Sequence, residues 1–182
     1  MKKLISSFAI LLTLLLTPLA AQASWGIWNK SSKYENFDVQ FVDTMIEHNR
    51  QGIEMFKIAA VKAKNVSVRT KAQELRRKME DGTTKLESLR DEVASNANKS
   101  VNMDLPGMKN LDLSELVKAS KDDFDKEFLD MAIDHLQGAV KLAETALEES
   151  NNPKIKEKAR LIISNKNEEI EQVKKLENGI NG

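Results

Sequence analysis

The chain repeats itself. Moved by 87 residues against itself, the sequence sets Phe37 on Phe124, Asp38 on Asp125, Phe41 on Phe128, Asp43 on Asp130, Ile46 on Ile133 and His48 on His135. The match runs on without a gap through Ala59 and Ala146, Asn65 and Asn152, Ala72 and Ala159, and Leu89 and Leu176. A shared F-D-x-x-F-x-D-x-x-I-x-H string is more than two amphipathic helices share by chance, so the pattern reads as a duplication. A fold for this chain must then be built from two similar halves.

Each half reads as two helices. In the first, Phe41, Met45, His48, Gly52, Met55 and Ala59 step by four and three, a heptad seam, with Val42, Ile46, Asn49, Ile53, Phe56 and Ala60 beside it. Together they make the wide apolar stripe of a bundle helix. Val68, Ala72, Leu75, Met79, Leu86, Leu89 and Val93 form the seam of the second helix. Phe128, Ala132, His135, Ala139, Leu142 and Ala146 mark the third, and Ile155, Ala159, Ile162, Ile163, Ile170, Val173 and Leu176 the fourth.

The breaks are short: Lys64-Asn65-Val66-Ser67 in one half and Ser150-Asn151-Asn152-Pro153 in the other. Pro153 suits the first turn of a helix, where its missing N–H is not needed. Short turns make neighbouring helices antiparallel. No segment alternates with period two between turn signals. The expected fold is all-α, an antiparallel four-helix bundle of two duplicated helical hairpins. The hairpins span 36–94 and 122–182, and a linker at 95–121 joins them, with a helical turn near Ser114–Ala119.

The first residues are of another kind. Lys2 and Lys3 precede an apolar run from Leu4 to Ala21, which contains Pro18 and ends in Ala21-Gln22-Ala23. This reads as a secretory signal peptide, 1–23, cut after Ala23. It predicts a mature chain in the periplasm or secreted, not embedded in the membrane after cleavage. Cleavage removes two lysines and no acid, so the formal charge moves from +0 to −2 (0 − 2). A balanced surface without a basic block argues against nucleic acid as a partner. Cysteine is absent, which excludes disulfides, thiol nucleophiles and thiolate metal sites. Residues 24–35 read as a flexible N-terminal segment carrying both tryptophans, Trp25 and Trp28. These are either anchors for a protein partner or a patch that docks on the chain's own bundle.

The chain has two histidines, and both lie in apolar seams. Each is followed four residues later by a small residue, Gly52 or Ala139, which leaves room for an imidazole between helices. Counting antiparallel from the turns sets His48 opposite Met79 to Thr83 and His135 opposite Lys166 to Ile170. Both stretches turn polar, so a polar layer is expected at mid-depth, where a twofold relation would also bring the two rings together. A buried imidazole needs partners, since an unsatisfied polar group costs about 1–3 kcal/mol. Two readings meet that need. Each histidine bonds a carboxylate or amide of the facing helix and fixes register, or imidazole and thioether together bind a soft metal. For the second, Met45, His48 and Met55 share one seam, and Met131 precedes His135 by four residues. Imidazole with thioether and no thiolate suits copper, above all Cu(I). A ferritin-type di-iron site needs Glu-x-x-His, but Met45 and Ala132 stand three residues before the histidines. No nucleophile triad, phosphate loop or paired-carboxylate cleft is present, so the chain reads as no enzyme.

The segments L-D-M-A-I-D-H-L-Q-G-A-V-K-L-A (Leu129 to Ala143) and V-D-T-M-I-E-H-N-R-Q-G-I-E-M (Val42 to Met55) resemble the exported family called domain of unknown function 305. Its signature is roughly D-M-M-I-x-H-H-x-x-A-I-x-M-A. The resemblance implies a ferritin-like helical fold, here in two tandem copies, and an exported protein. For some members it also implies copper held through the histidine and methionine positions. Carried over residue by residue, those positions are Met45, His48, Met55, Met131 and His135. The second histidine of the signature pair is Asn49 in one half and Leu136 in the other, and a final methionine is Leu142. Two functions follow as expectations. One is an exported binder of copper or another soft metal. The other is a non-enzymatic interaction or stress-response module whose histidines are structural.

Overall fold

The computed structural model describes residues 36–181; the leader segment, Trp25 and Trp28 lie outside the described residues. Among the described residues there are five helices and no strand: α1 (Phe37–Lys62), α2 (Val66–Ala94), α3 (Ser114–Lys118), α4 (Phe124–Glu149) and α5 (Pro153–Asn181). The four long helices have matching lengths in the two hairpins, 26 and 29 residues in each. None of the described helices is long and apolar enough to cross a membrane.

The turns are cut by the same chemistry. Asn65 caps α2, its side chain accepting from the backbone N–H of Ser67 at 2.8 Å. Asn152 accepts from the N–H of Lys154 at 3.0 Å, one residue before Pro153 opens α5. Such side-chain acceptors satisfy N–H groups that the first helical turn leaves without partners. Each turn is also clasped by the other hairpin. Asp125, buried in the first turn of α4, accepts from the backbone N–H groups of Lys64 (2.8 Å) and Asn65 (2.7 Å). Asp38, in the first turn of α1, accepts from the hydroxyl of Ser150 at 2.6 Å.

These clasps require α1 and α4 to run antiparallel. The contacts between them agree: Phe56 meets Phe128 edge-on with centroids 5.9 Å apart, Lys62 lies over the ring of Phe124, and His48 meets His135. Two apolar clusters fill the space on either side of the crossing. Met55, Phe56, Met79, Phe124 and Phe128 lie in one, and Phe41, Met45, Leu86, Leu142 and Ile155 in the other. Burying each of these large side chains is worth about 1.5–3 kcal/mol. The linker follows α1 in the same direction. Ser100 N–H donates to Asp43 (2.8 Å), Asn102 N–H to Thr44 (2.8 Å) and Leu111 N–H to Gln51 (3.1 Å). Leu105 and Met108 from the linker are buried, whereas Met103 is exposed.

Candidate metal centre

The centre begins with two glycines at the crossing. On α1, a methyl built on Gly52 would overlap Nε2 of His135 and lie 2.6 Å from Sδ of Met79. On α4, a methyl built on Gly138 would lie 3.1 Å from Cε1 of His48 and 2.6 Å from the carbonyl oxygen of Gly107. Each glycine thus makes room for the histidine of the opposite helix. Gly107 has φ of 93°, a left-handed conformation that glycine adopts without a Cβ penalty, and this lets the linker backbone press against α4.

Side chains this small let the two imidazoles stack face to face, with centroids 3.9 Å apart and planes within 2° of parallel. Both are buried, His48 at 2% and His135 at 6% of full exposure. Nε2–H of His48 donates to the backbone carbonyl of His135 at 3.1 Å, so the proton of His48 is assigned to Nε2 and Nδ1 carries the free lone pair. That Nδ1 has no hydrogen-bond partner, and neither has Nε2 of His135. The register of α1 on α2 is the one counted from the turn, with Gly52 at Met79 and Asn49 beside Gly82. The partner of His48 differs from expectation: it is the backbone of α4, not a carboxylate or amide of α2. The close α1–α4 crossing turns the ring towards the opposite hairpin.

Burial keeps the rings neutral, with a smaller contribution from the ammonium of Lys166. Burial lowers His48 from 6.5 to about 4 against the raising effect of its bond to His135, and Lys166 lowers it further. Burial also holds His135 well below 6.5, followed by His48 and Lys166. Lys166 is itself buried and bonds Glu169 at 2.7 Å, with side chains 11% and 5% exposed. The buried polar layer consists of Asn49, Thr83, Lys166 and Glu169 around the histidines. Thr83 is satisfied within α2, its hydroxyl donating to the carbonyl of Met79 at 2.8 Å.

Two cavities flank the crossing. One, of about 320 Å³, lies between α2 and α5 and is lined by Met45, Met79, Lys166 and Glu169 among others. The other, of about 430 Å³, is lined by His48, His135, Met131 and residues of the linker and α4. Of the five residues expected from sequence, His48 and His135 are therefore in contact, Met131 lines a cavity with both, and Met45 lines the opposite cavity. Met55 is fully buried in the apolar cluster that also holds Met79. Met79 was not among them; its sulfur and the unpartnered nitrogen of His135 both lie against Gly52. Its signal in the sequence was its place in the stretch counted opposite His48.

The donor set can be tested against a soft metal on this geometry. Nε2 of His135 and Sδ of Met79 both pack against Cα of Gly52, and the nitrogen has no hydrogen-bond partner. That set fits Cu(I) or Ag(I). Among the described residues no three His, Cys, Asp or Glu side chains converge on a common point, which does not fit a di-iron or a carboxylate-rich site.

Residues 38–177 match the family described as Domain of unknown function (DUF305). The chain belongs to the DUF305 family. Among solved structures it is similar to CopM in the Cu(I)-bound form, with a TM-score of 0.66 and 23% identity over 80% of this chain and 98% of that one. It is also similar to a DUF305 fragment from Deinococcus radiodurans, with a TM-score of 0.68 and 19% identity over 81% of this chain and 98% of that one. CopM has also been solved in Cu(II)-bound, Ag-bound and apo forms. At these identities the likeness establishes the fold. No curated protein matches the sequence.

Proposed function

We propose that this DUF305 protein is an exported, non-enzymatic binder of a soft metal, with copper as the metal, and that His135 and Met79 are its primary ligands. One observation carries the proposal: the buried Nε2 of His135 has no hydrogen-bond partner, and it packs against Gly52 as Sδ of Met79 does. A buried nitrogen left bare costs about 1–3 kcal/mol, and a bound cation would use that lone pair. His48 orients the partner ring by stacking on it and by donating to its backbone. Its own Nδ1, with Met131 on the adjoining cavity, offers a secondary donor pair. Met45 borders the cavity that Met79 also lines. Met55 supports Met79 within their shared apolar cluster. The CopM structures with Cu(I), Cu(II) and Ag support the choice of metal. The signal-peptide reading of residues 1–23 supports export.

Equilibrium dialysis with Cu(I) under reducing conditions tests this. The full chain should retain about one equivalent, and His135→Ala or Met79→Leu should each weaken retention at least tenfold. A wild type that retains none disposes of the proposal. The stack and the bond from His48 to the His135 carbonyl favour a second reading, in which the pair only pins the two hairpins. That reading leaves two buried nitrogens without partners. It predicts that His48→Leu and His135→Ala change stability and no metal property.

A further inference from the structure

α1 crosses α4 closely, but α2 and α5 barely touch, and the cavity of about 320 Å³ opens between them. Its wall is apolar at Met45, Met79, Leu86, Leu161 and Ile162. Leu161 stands there 54% exposed, one of five large apolar side chains left open among the described residues. Three others, Val61, Val66 and Val117, lie at the far end of the bundle, where Lys62 donates to the carbonyl of Val117 at 2.6 Å. Met103 lies on the linker. The chain enters at the other end: the bond from Ser150 to Asp38 sets the start of α1 beside the start of α5.

We propose that residues 24–28, Ser-Trp-Gly-Ile-Trp, fold back on the chain's own bundle and seat Trp28 in the groove between α2 and α5, against Leu161. Both tryptophans of the chain belong to this segment, outside the described residues. Reach selects the groove. Eight residues separate Trp28 from Asn36, about 26 Å of extended chain. Leu161 stands eight residues into α5, about 12 Å along the helix axis. The three valines are the 26-residue length of α1 away, about 39 Å, beyond the reach of Trp28. The groove also suits an indole. Its apolar wall would cover the ring, and Asn165 and Glu168 line it as acceptors for the ring N–H. A short tether holds the segment at millimolar effective concentration, so a contact too weak to capture a separate partner suffices here. Seated there, the segment closes the solvent side of the cavity that Met79 lines. The inference stands apart from the metal-binding reading, because it needs only the groove.

Tryptophan fluorescence tests this, since no indole elsewhere in the chain contributes. In the purified protein the emission should be blue-shifted from that of a free peptide of residues 24–30, and acrylamide should quench it several-fold less efficiently. Leu161→Glu puts a charge where the ring would sit, at a position exposed enough to accept it. Emission and quenching should then return to those of the peptide. Val66→Glu, at the far end, should change neither. Leu161→Ser takes the place of Leu161→Glu should circular dichroism show that variant unfolded. Wild-type emission and quenching like those of the free peptide overturn the inference, and so does protection that survives in a folded Leu161 variant. Protection that grows with protein concentration overturns it too, because a second copy would then supply the segment.

Discussion

The two hairpins agree at their ends and differ in their middles. At the ends Asp38 and Asp125 each clasp the opposite turn, and Asn65 and Asn152 each open the following helix. In the middle the equivalent positions diverge: Met45 against Ala132, Gly52 against Ala139, Met55 against Leu142, Met79 against Lys166. The charged pairs diverge as well. Asp43 pairs with Arg90 at 3.0 Å, whereas at the corresponding places Glu177 is raised, first by desolvation and then by the neighbouring carboxyl of Asp130. The shared ends hold two helical pairs in a near-symmetric frame. The unlike middles make the frame one-sided: one hairpin places the thioether of Met79 where the other places the ammonium of Lys166, and both side chains line one cavity.

The comparison can be broken first by pH. A histidine that is buried neutral contributes nothing to the pH dependence above its ordinary value. Below it the unfolded chain takes up protons that the folded chain refuses. Stability is therefore full above pH 6.5 and is lost as pH falls towards about 4, the folded value of His48. The loss from His48 amounts to about 3 kcal/mol at pH 4, and His135 adds to it with the same sign. Urea unfolding of wild type and His48→Leu across that window isolates the difference. Parallel curves for the two proteins would contradict the assignment.

The second effect, about 2 kcal/mol, lies at the ends. Asp125→Ala strands two backbone N–H groups of the first turn. Asp38→Ala, which loses the hydroxyl of Ser150, should cost about half as much. Equal losses would mean that the clasps are more symmetric than the bonds indicate. The third and smallest effect, about 1 to 2 kcal/mol, comes from Gly52→Ala. The added methyl meets His135 and Met79, so this variant should also lose Cu(I) or Ag(I) retention. Ala139→Gly, at the equivalent place in α4, should cost about as much through a lost buried methyl and a looser helix, and leave retention intact. That contrast between the hairpins is read by thermal unfolding and dialysis on the same samples.

The four long helices were legible because heptad stepping, Asn-rich breaks and Pro153 all point the same way. The paired height of the histidines was legible from the offset, and the opposition of α1 to Met79–Thr83 from counting out from the turn. Which histidine faces which residue was not. That depends on how closely α1 and α4 cross, which in turn depends on Gly52 and Gly138 acting on the opposite helix. A residue such as Met79, in seam with Leu75 and Leu86, carries the pattern of an ordinary core position. Only tertiary packing brings its sulfur and the bare nitrogen of His135 to the same glycine. The roles of Asp38 and Asp125 were hidden for the same reason: their place in the repeat was plain, but their partners lie in the other hairpin.

The central claim is that one nitrogen and one sulfur, from His135 and Met79, take a soft metal at the helix crossing. X-ray absorption at the copper edge of the Cu(I)-loaded full chain tests it most directly. The account predicts a mixed first shell of nitrogen and sulfur, and loss of sulfur scattering in Met79→Leu with the nitrogen retained. A first shell of nitrogen and oxygen alone, or a sulfur contribution unchanged by Met79→Leu, would contradict it.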